Sequence, residues 1–152
     1  MKTNRLFNTP FEMEMRILML LNSTPKQHFT LERILCLDFI TCYAGDYGFS
    51  YDNLHGDNSY KQSEVVGRRQ LIQLAIKELV CRGLIDVYLE NGYSFSISKN
   101  GKRFISKIDD DYAEEYKEIS KEVIKRYRKQ SDISILEVLR NDSLKGRKNV
   151  LY

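Results

Sequence analysis

Hydrophobic and polar positions follow two rhythms along this chain. From Thr9 to Asn22, apolar side chains recur at Met13, Ile17, Leu20 and Leu21, the spacing of one helical face. Thr9 is placed to cap this helix, Pro10 suits its first position, and Glu12 completes a capping box with Thr9. Asn22-Ser23-Thr24-Pro25 predicts its end. Thr30 is expected to cap a second helix running to about Tyr43 and closed by Gly45. Leu31, Ile34, Leu35, Leu37, Phe39, Ile40, Cys42 and Tyr43 leave it apolar nearly all round, as in a helix central to a domain or an interface. Asp38 is its lone carboxylate beyond the first turn. Gly45 to Gln62 reads as a polar loop with aromatics, of a length that predicts function or disorder. Ser63 is expected to cap a third helix to about Arg82, stopped at Gly83, with Leu71, Ile72, Ala75, Ile76, Leu79 and Val80 as its stripe.

The period then changes from 3.6 to 2. Ile85, Val87 and Leu89 alternate with polar residues, as do Tyr93, Phe95 and Ile97 after Asn91-Gly92. This predicts a hairpin with one apolar face. A two-residue Asn-Gly loop would set Val87 and Leu89 against serines. A three-residue loop, Glu90-Asn91-Gly92, pairs Leu89 with Tyr93, Val87 with Phe95 and Ile85 with Ile97. Burial of one face favours the longer loop, with Gly92 left-handed.

Ser98 is expected to cap a short helix bearing Phe104, Ile105 and Ile108, and Asp109-Asp110-Asp111 to open the next. Tyr112, Tyr116, Ile119, Val123 and Tyr127 form a narrow seam resembling a coiled-coil edge. Glu114, Glu118 and Glu122 each precede a lysine by three residues, so the outer face is expected to support itself. Ile133, Ile135, Leu136, Val138 and Leu139 predict a short last helix, and the polar, basic stretch from Asn141 is expected to fray. Three helices, a hairpin and further helices make an α+β chain in the order of a winged helix. The expected divisions are a winged-helix domain over residues 1–108, a helical extension over 109–140 and a flexible basic tail over 141–152.

Composition adds limits. The net charge of +3 is too mild to announce a nucleic-acid partner. It is unevenly placed: from Lys99 onward there are 14 basic and 10 acidic residues, against 10 and 11 before it. A solvated helix explains this as well as a phosphate-binding face does. The longest apolar run, Ile17 to Leu21, is far short of a membrane span. No apolar segment follows the first five residues, so no secretory signal is expected. An odd count of three cysteines, Cys36, Cys42 and Cys81, in apolar helical stretches fits reduced core thiols in the cytoplasm.

The catalytic inventory is thin. His28 and His55 stand apart, Cys36 and Cys42 do not share a helical face, and no phosphate loop or nucleophile motif is present. No enzyme activity, cofactor or metal is expected. Arg68 and Arg69, four and three residues before Ile72, place at least one guanidinium along the apolar stripe. Either its stem is buried with the head in water, or it pairs with a buried carboxylate, Asp38 or Asp46 being the candidates.

Leu6-Phe7-Asn8-Thr9-Pro10 leads into a helix holding Glu12 and Arg16, followed by Leu37-Asp38-Phe39, Gly45-Asp46, Leu54-His55, Glu64 with Arg68-Arg69, and Arg82-Gly83-Leu84. This ordered series resembles the middle component of bacterial ABC three-component systems, which include Lamassu-type anti-phage defence. The family's Leu-His is commonly followed by prolines, whereas Gly56-Asp57-Asn58 follows here. The resemblance implies a winged-helix adaptor that bridges an SMC- or Rad50-like ABC ATPase and an effector subunit, often a nuclease, with ATP hydrolysis and DNA cutting left to those partners. DNA would be met weakly or indirectly, and neither a membrane nor a small-molecule substrate is implied. The apolar second helix, the aromatic loop and the tyrosine seam offer more apolar surface than a chain this short easily buries, so Phe7, Tyr47, Phe49, Leu54, His55, Tyr112, Tyr116 and Tyr127 are the expected partner contacts. The rival expectation is a winged-helix transcription regulator that dimerises through Tyr112 to Tyr127 and reads DNA with its third helix.

Overall fold

The computed structural model describes residues 9–58 and 61–151, with side chains described as far as Asn141. Helix α1 (Pro10–Asn22) starts as its sequence directs, with Thr9 Oγ1 accepting from the Glu12 amide at 3.2 Å. One apolar stripe was expected of it, yet every residue from Met13 to Leu21 is buried. The other helices account for this, because α1 is packed about by four of them. Helix α2 (Leu31–Cys42) is capped by Thr30, which accepts from the Arg33 amide. Ile34 to Cys42 are all buried, so α2 is the axis of the domain, as its all-round apolar surface requires.

Gly45 does not end α2. The chain tightens into a 3-10 turn over Ala44–Tyr47, and Gly48 takes the left-handed backbone at φ +83°. Gly45 is required for space instead: a Cβ there would lie 2.7 Å from the Tyr51 carbonyl. Ser63 does not cap α3 (Glu64–Cys81) with its side chain, because a second 3-10 turn, Lys61–Ser63, leads straight into the helix.

Strands β1 (Ile85–Leu89) and β2 (Tyr93–Ile97) pair antiparallel, with Ile85 opposite Ile97, Val87 opposite Phe95 and Leu89 opposite Tyr93. This is the register of the three-residue loop, with Gly92 at φ +101° and Asn91 also left-handed. Burial explains half of it. Ile85, Phe95 and Ile97 face the core, while Val87, Leu89 and Tyr93 project into solvent. Phe29 joins the hairpin through two backbone bonds with Phe95, of 2.9 and 2.8 Å, which ties the segment before α2 to β2.

Ser98 caps α4 (Lys99–Ile105), and Asp110 caps α5 (Asp111–Tyr127) by accepting from the Ala113 amide at 2.7 Å. Helix α6 spans Asp132–Leu151, running on past the boundary expected at residue 141. Helices α5 and α6 pack on α2, and Tyr116, Val123, Ile135 and Leu139 belong to the same core as α1 and α2. Arg33 fastens the junction, reaching Asp132 Oδ1 at 2.9 Å and the Tyr127 and Gln130 carbonyls, while Thr30 donates to Asp132 at 2.6 Å. Among the described residues no helix is long and apolar enough to cross a membrane.

Candidate functional site

The centre of the molecule is a buried charge cluster on Asp38. Arg16 of α1 donates from Nε to Asp38 Oδ1 at 2.9 Å and from Nη2 to Oδ2 at 3.1 Å. Arg68 of α3 reaches Oδ2 at 3.2 Å, and the Tyr116 hydroxyl of α5 donates to Oδ1 at 2.7 Å. All four side chains are buried. Arg68 also bonds Glu64, which accepts in turn from the Tyr43 hydroxyl and from Asn58 of the long loop. Phe39 and Tyr43 lie against the Arg68 guanidinium, at 5.0 and 5.9 Å from its carbon. Burial alone would push the Asp38 carboxyl up, but Arg16 and Arg68 beside it, with bonds from Arg16 and Tyr116, hold it at about 2. One ionised carboxylate thus links α1, α2, α3 and α5.

Of the ion partners expected from sequence, the fold brings Arg68 to Asp38. Arg69 lies instead against Glu32 of α2, and Asp46 pairs with Lys61 at 3.1 Å. Sequence reasoning missed Arg16 as a member. The signal was present, since Arg16 follows Met13 by three residues and precedes Leu20 by four, the same placement in a stripe that singled out Arg68.

The expected contact residues divide by burial. Tyr112, Tyr116 and Tyr127 are enclosed within the chain, because the seam of α5 faces α1 and α2. Tyr112 bonds His55 across 2.8 Å, which docks the loop on α5. Tyr47, Phe49 and Leu54 are half-buried against the core. Arg126 holds this end of the loop, with its guanidinium 3.5 Å from the Phe49 ring centre and bonds to the Tyr47 and Gly48 carbonyls. Phe7 lies outside the described residues.

Solvent meets apolar side chains elsewhere. On α3, Val66 is 71% and Leu74 66% exposed. Beside Leu74 a cavity of about 490 Å³ opens between α1 and α3, lined by Pro10, Leu71, Leu74, Ala75 and Cys81 together with Lys77 and Glu78, with Arg82 bonding Glu14 at its edge. At the hairpin tip, Leu89 is 70% and Tyr93 63% exposed. These positions were not singled out from sequence, because periodicity gives a shared face and not what covers it. Cys81 corrects the expectation of three core thiols: it is exposed, while Cys36 and Cys42 are buried. Burial, then the Asp38 charge, raises the Cys42 thiol to about 11, so it stays protonated at neutral pH. Among the described residues no three His, Cys, Asp or Glu side chains gather to hold a metal.

The fold and its surface define an α+β protein whose buried charges bind its own helices together and whose outer face is apolar in patches. The sequence model of the ABC-three component (ABC-3C) system Middle Component 2 family matches residues 6–148. The chain belongs to this family, and it is a component of such a system with partner subunits of its own. No curated protein and no solved structure matches the chain.

Proposed function

We propose that this chain is a non-catalytic winged-helix adaptor that works in the cytoplasm, bridging an SMC- or Rad50-like ABC ATPase and an effector such as a nuclease in anti-phage defence of the Lamassu kind. One observation carries the reading: the outward face of α3 sets Val66 and Leu74 in solvent among Gln70, Gln73, Lys77 and Glu78, and its arginines are paired with carboxylates of the fold. Arg68 is buried on Asp38, Arg69 is paired with Glu32 and Arg82 with Glu14, which leaves Lys77, one turn from Leu74, as the cation of that face, with Glu78 next to it. A helix that reads bases presents basic and amide side chains to a groove. One that docks on protein presents apolar anchors ringed by polar residues, as here. The winged-helix assignment is supported by the order helix, Phe29 arm, two helices and hairpin.

Two features favour the adaptor over the transcription regulator. The tyrosine seam it would use to dimerise is enclosed, and of the arginines it would use on DNA, Arg68 is buried while Arg69 and Arg82 are paired with Glu32 and Glu14 at the surface. The α3 face, with the neighbouring cavity, is the first proposed interface. The docked loop, where Tyr47, Phe49 and Leu54 keep part of their surface in solvent, is the second. The deciding experiment expresses the chain with the ATPase and effector encoded beside it and purifies through a tag on this chain. Retention of both subunits through gel filtration is expected. A free homodimer that binds one palindrome tightly at physiological salt would overturn the reading.

A further inference from the structure

The basic excess of the C-terminal third is concentrated. Residues 99–107 hold Lys99, Lys102, Arg103 and Lys107 and no acid, whereas residues 108–152 hold ten basic and ten acidic residues and cancel. The four cations are exposed, on α4 and the turn that follows it. None forms an ion pair among the described residues. The arginines around α3 do the opposite, being held by Asp38, Glu32 and Glu14.

Helix α4 is a fixed platform for these charges. Ile105 is fully buried, and Gly101 lies so close to the Leu84 carbonyl that a Cβ would be 2.0 Å from it. Lys99 and Arg103 are one turn apart, about 6 Å along the axis, close to two phosphate steps of about 3.4 Å on one DNA strand. Lys102 lies beside Arg103, and Lys107 follows in the turn after the helix, two residues before the exposed Asp109-Asp110-Asp111. No large apolar side chain of this stretch is exposed, so it lacks what inserts a basic helix into a lipid surface.

We propose that α4, and not α3, is the surface by which this chain meets the phosphate backbone of duplex DNA, without reading its sequence. The inference deepens the adaptor reading and rests on it for the presence of DNA in the complex. The two can fail separately, because one is read by co-purification and the other by titration of the isolated full chain.

The test is fluorescence anisotropy of a labelled 24-base-pair duplex of mixed sequence, titrated with the full chain at stepped potassium chloride. Weak binding is expected, with log affinity falling against log salt at a slope of about −3.5, that is about 0.9 for each of four phosphate contacts. Changing Lys99, Lys102, Arg103 and Lys107 together to Gln should weaken binding at least about tenfold and flatten the slope toward zero. Lys77→Gln on α3 and the pair Lys121→Gln with Lys125→Gln on α5 should each change it less than about twofold. If the quadruple variant melts lower, the pairs Lys99/Lys102 and Arg103/Lys107 are changed separately, each removing about half the slope. The proposal is overturned if the variants bind duplex as the parent does, or if Lys77→Gln costs as much. It is equally overturned if polyglutamate or vesicles rich in phosphatidylserine bind the parent chain as tightly as DNA.

Discussion

Arg16 donates to both oxygens of Asp38, at 2.9 and 3.1 Å, with both side chains fully buried. The residues are 22 apart in sequence and lie on different helices. Because Arg68 and Tyr116 meet the same carboxylate, Asp38 is the point where four helices are registered on one another. Asp38→Ala would take the shared counter-charge from two buried guanidinium groups, leaving Arg68 with Glu64 at 3.1 Å and Arg16 with Glu12 at 3.8 Å. The expected loss is about 3–5 kcal/mol, read from urea unfolding at neutral pH. Tyr116→Phe removes one bond to a charged acceptor and should cost about 1.5–3 kcal/mol. A loss below about 1 kcal/mol for Asp38→Ala would mean that the arginines find water or other partners.

The same carboxylate sets an acid limit. Its pKa is 3.8 in the ordinary state and about 2 in the fold. A group with a depressed folded pKa stabilises fully above its unfolded value, and that contribution is lost as pH falls through the folded one. Stability should therefore hold down to about pH 5 and lose about 2–3 kcal/mol from this group by about pH 1, most of it between pH 4 and pH 2. Urea midpoints across that range measure it. In Asp38→Asn the acid slope from this position should vanish, and a slope equal to the parent's would assign it to other carboxylates.

Two glycines give opposite expectations for the same change. A Cβ at Gly101 meets backbone, the Leu84 carbonyl, which cannot move aside as a flexible side chain could. Gly101→Ala should cost about 3 kcal/mol or prevent folding. Gly67 lies in the exposed first turns of α3 with nothing within 4 Å of its Cβ position and no positive φ. Gly67→Ala should stabilise by about 0.5–1 kcal/mol. Melting temperatures that move in the same direction would contradict the packing of α4.

Much of the local structure was legible in the sequence, because its causes are local. Thr9, Thr30, Ser98 and Asp110 cap their helices through contacts three residues away. The hairpin register follows from matching apolar positions on its two strands. What was not legible depends on distant partners. Arg33 binds Asp132 across 99 positions, and Tyr116 binds Asp38 across 78. The α5 seam was read correctly as a face, but periodicity does not say whether a face meets its own chain or another. The acidic and basic rows on α5 show the converse: of the three Glu-Lys pairs, Lys117 with Glu114 comes within ion-pair distance, at 3.6 Å.

The apolar residues left in solvent should bear on assembly and not on folding. Leu74 on α3 and Leu89 at the hairpin tip are both about two-thirds exposed, so each gives up little buried area when changed. Leu74→Asp and Leu89→Asp should each shift unfolding by less than about 0.5 kcal/mol, the range of surface substitutions. At an interface, an aspartate would have to be desolvated without a partner, at a cost of about 2 kcal/mol or more. If the α3 face seats the ATPase, Leu74→Asp should abolish its co-purification while leaving the melting curve unchanged. Leu89→Asp then separates the two apolar patches: loss of the same subunit places both in one interface, and loss of the effector alone gives the hairpin tip to the second partner. Full retention of both subunits by both variants would mean that neither patch is a docking surface, and would move the search to the docked loop, where Phe49 is held under Arg126.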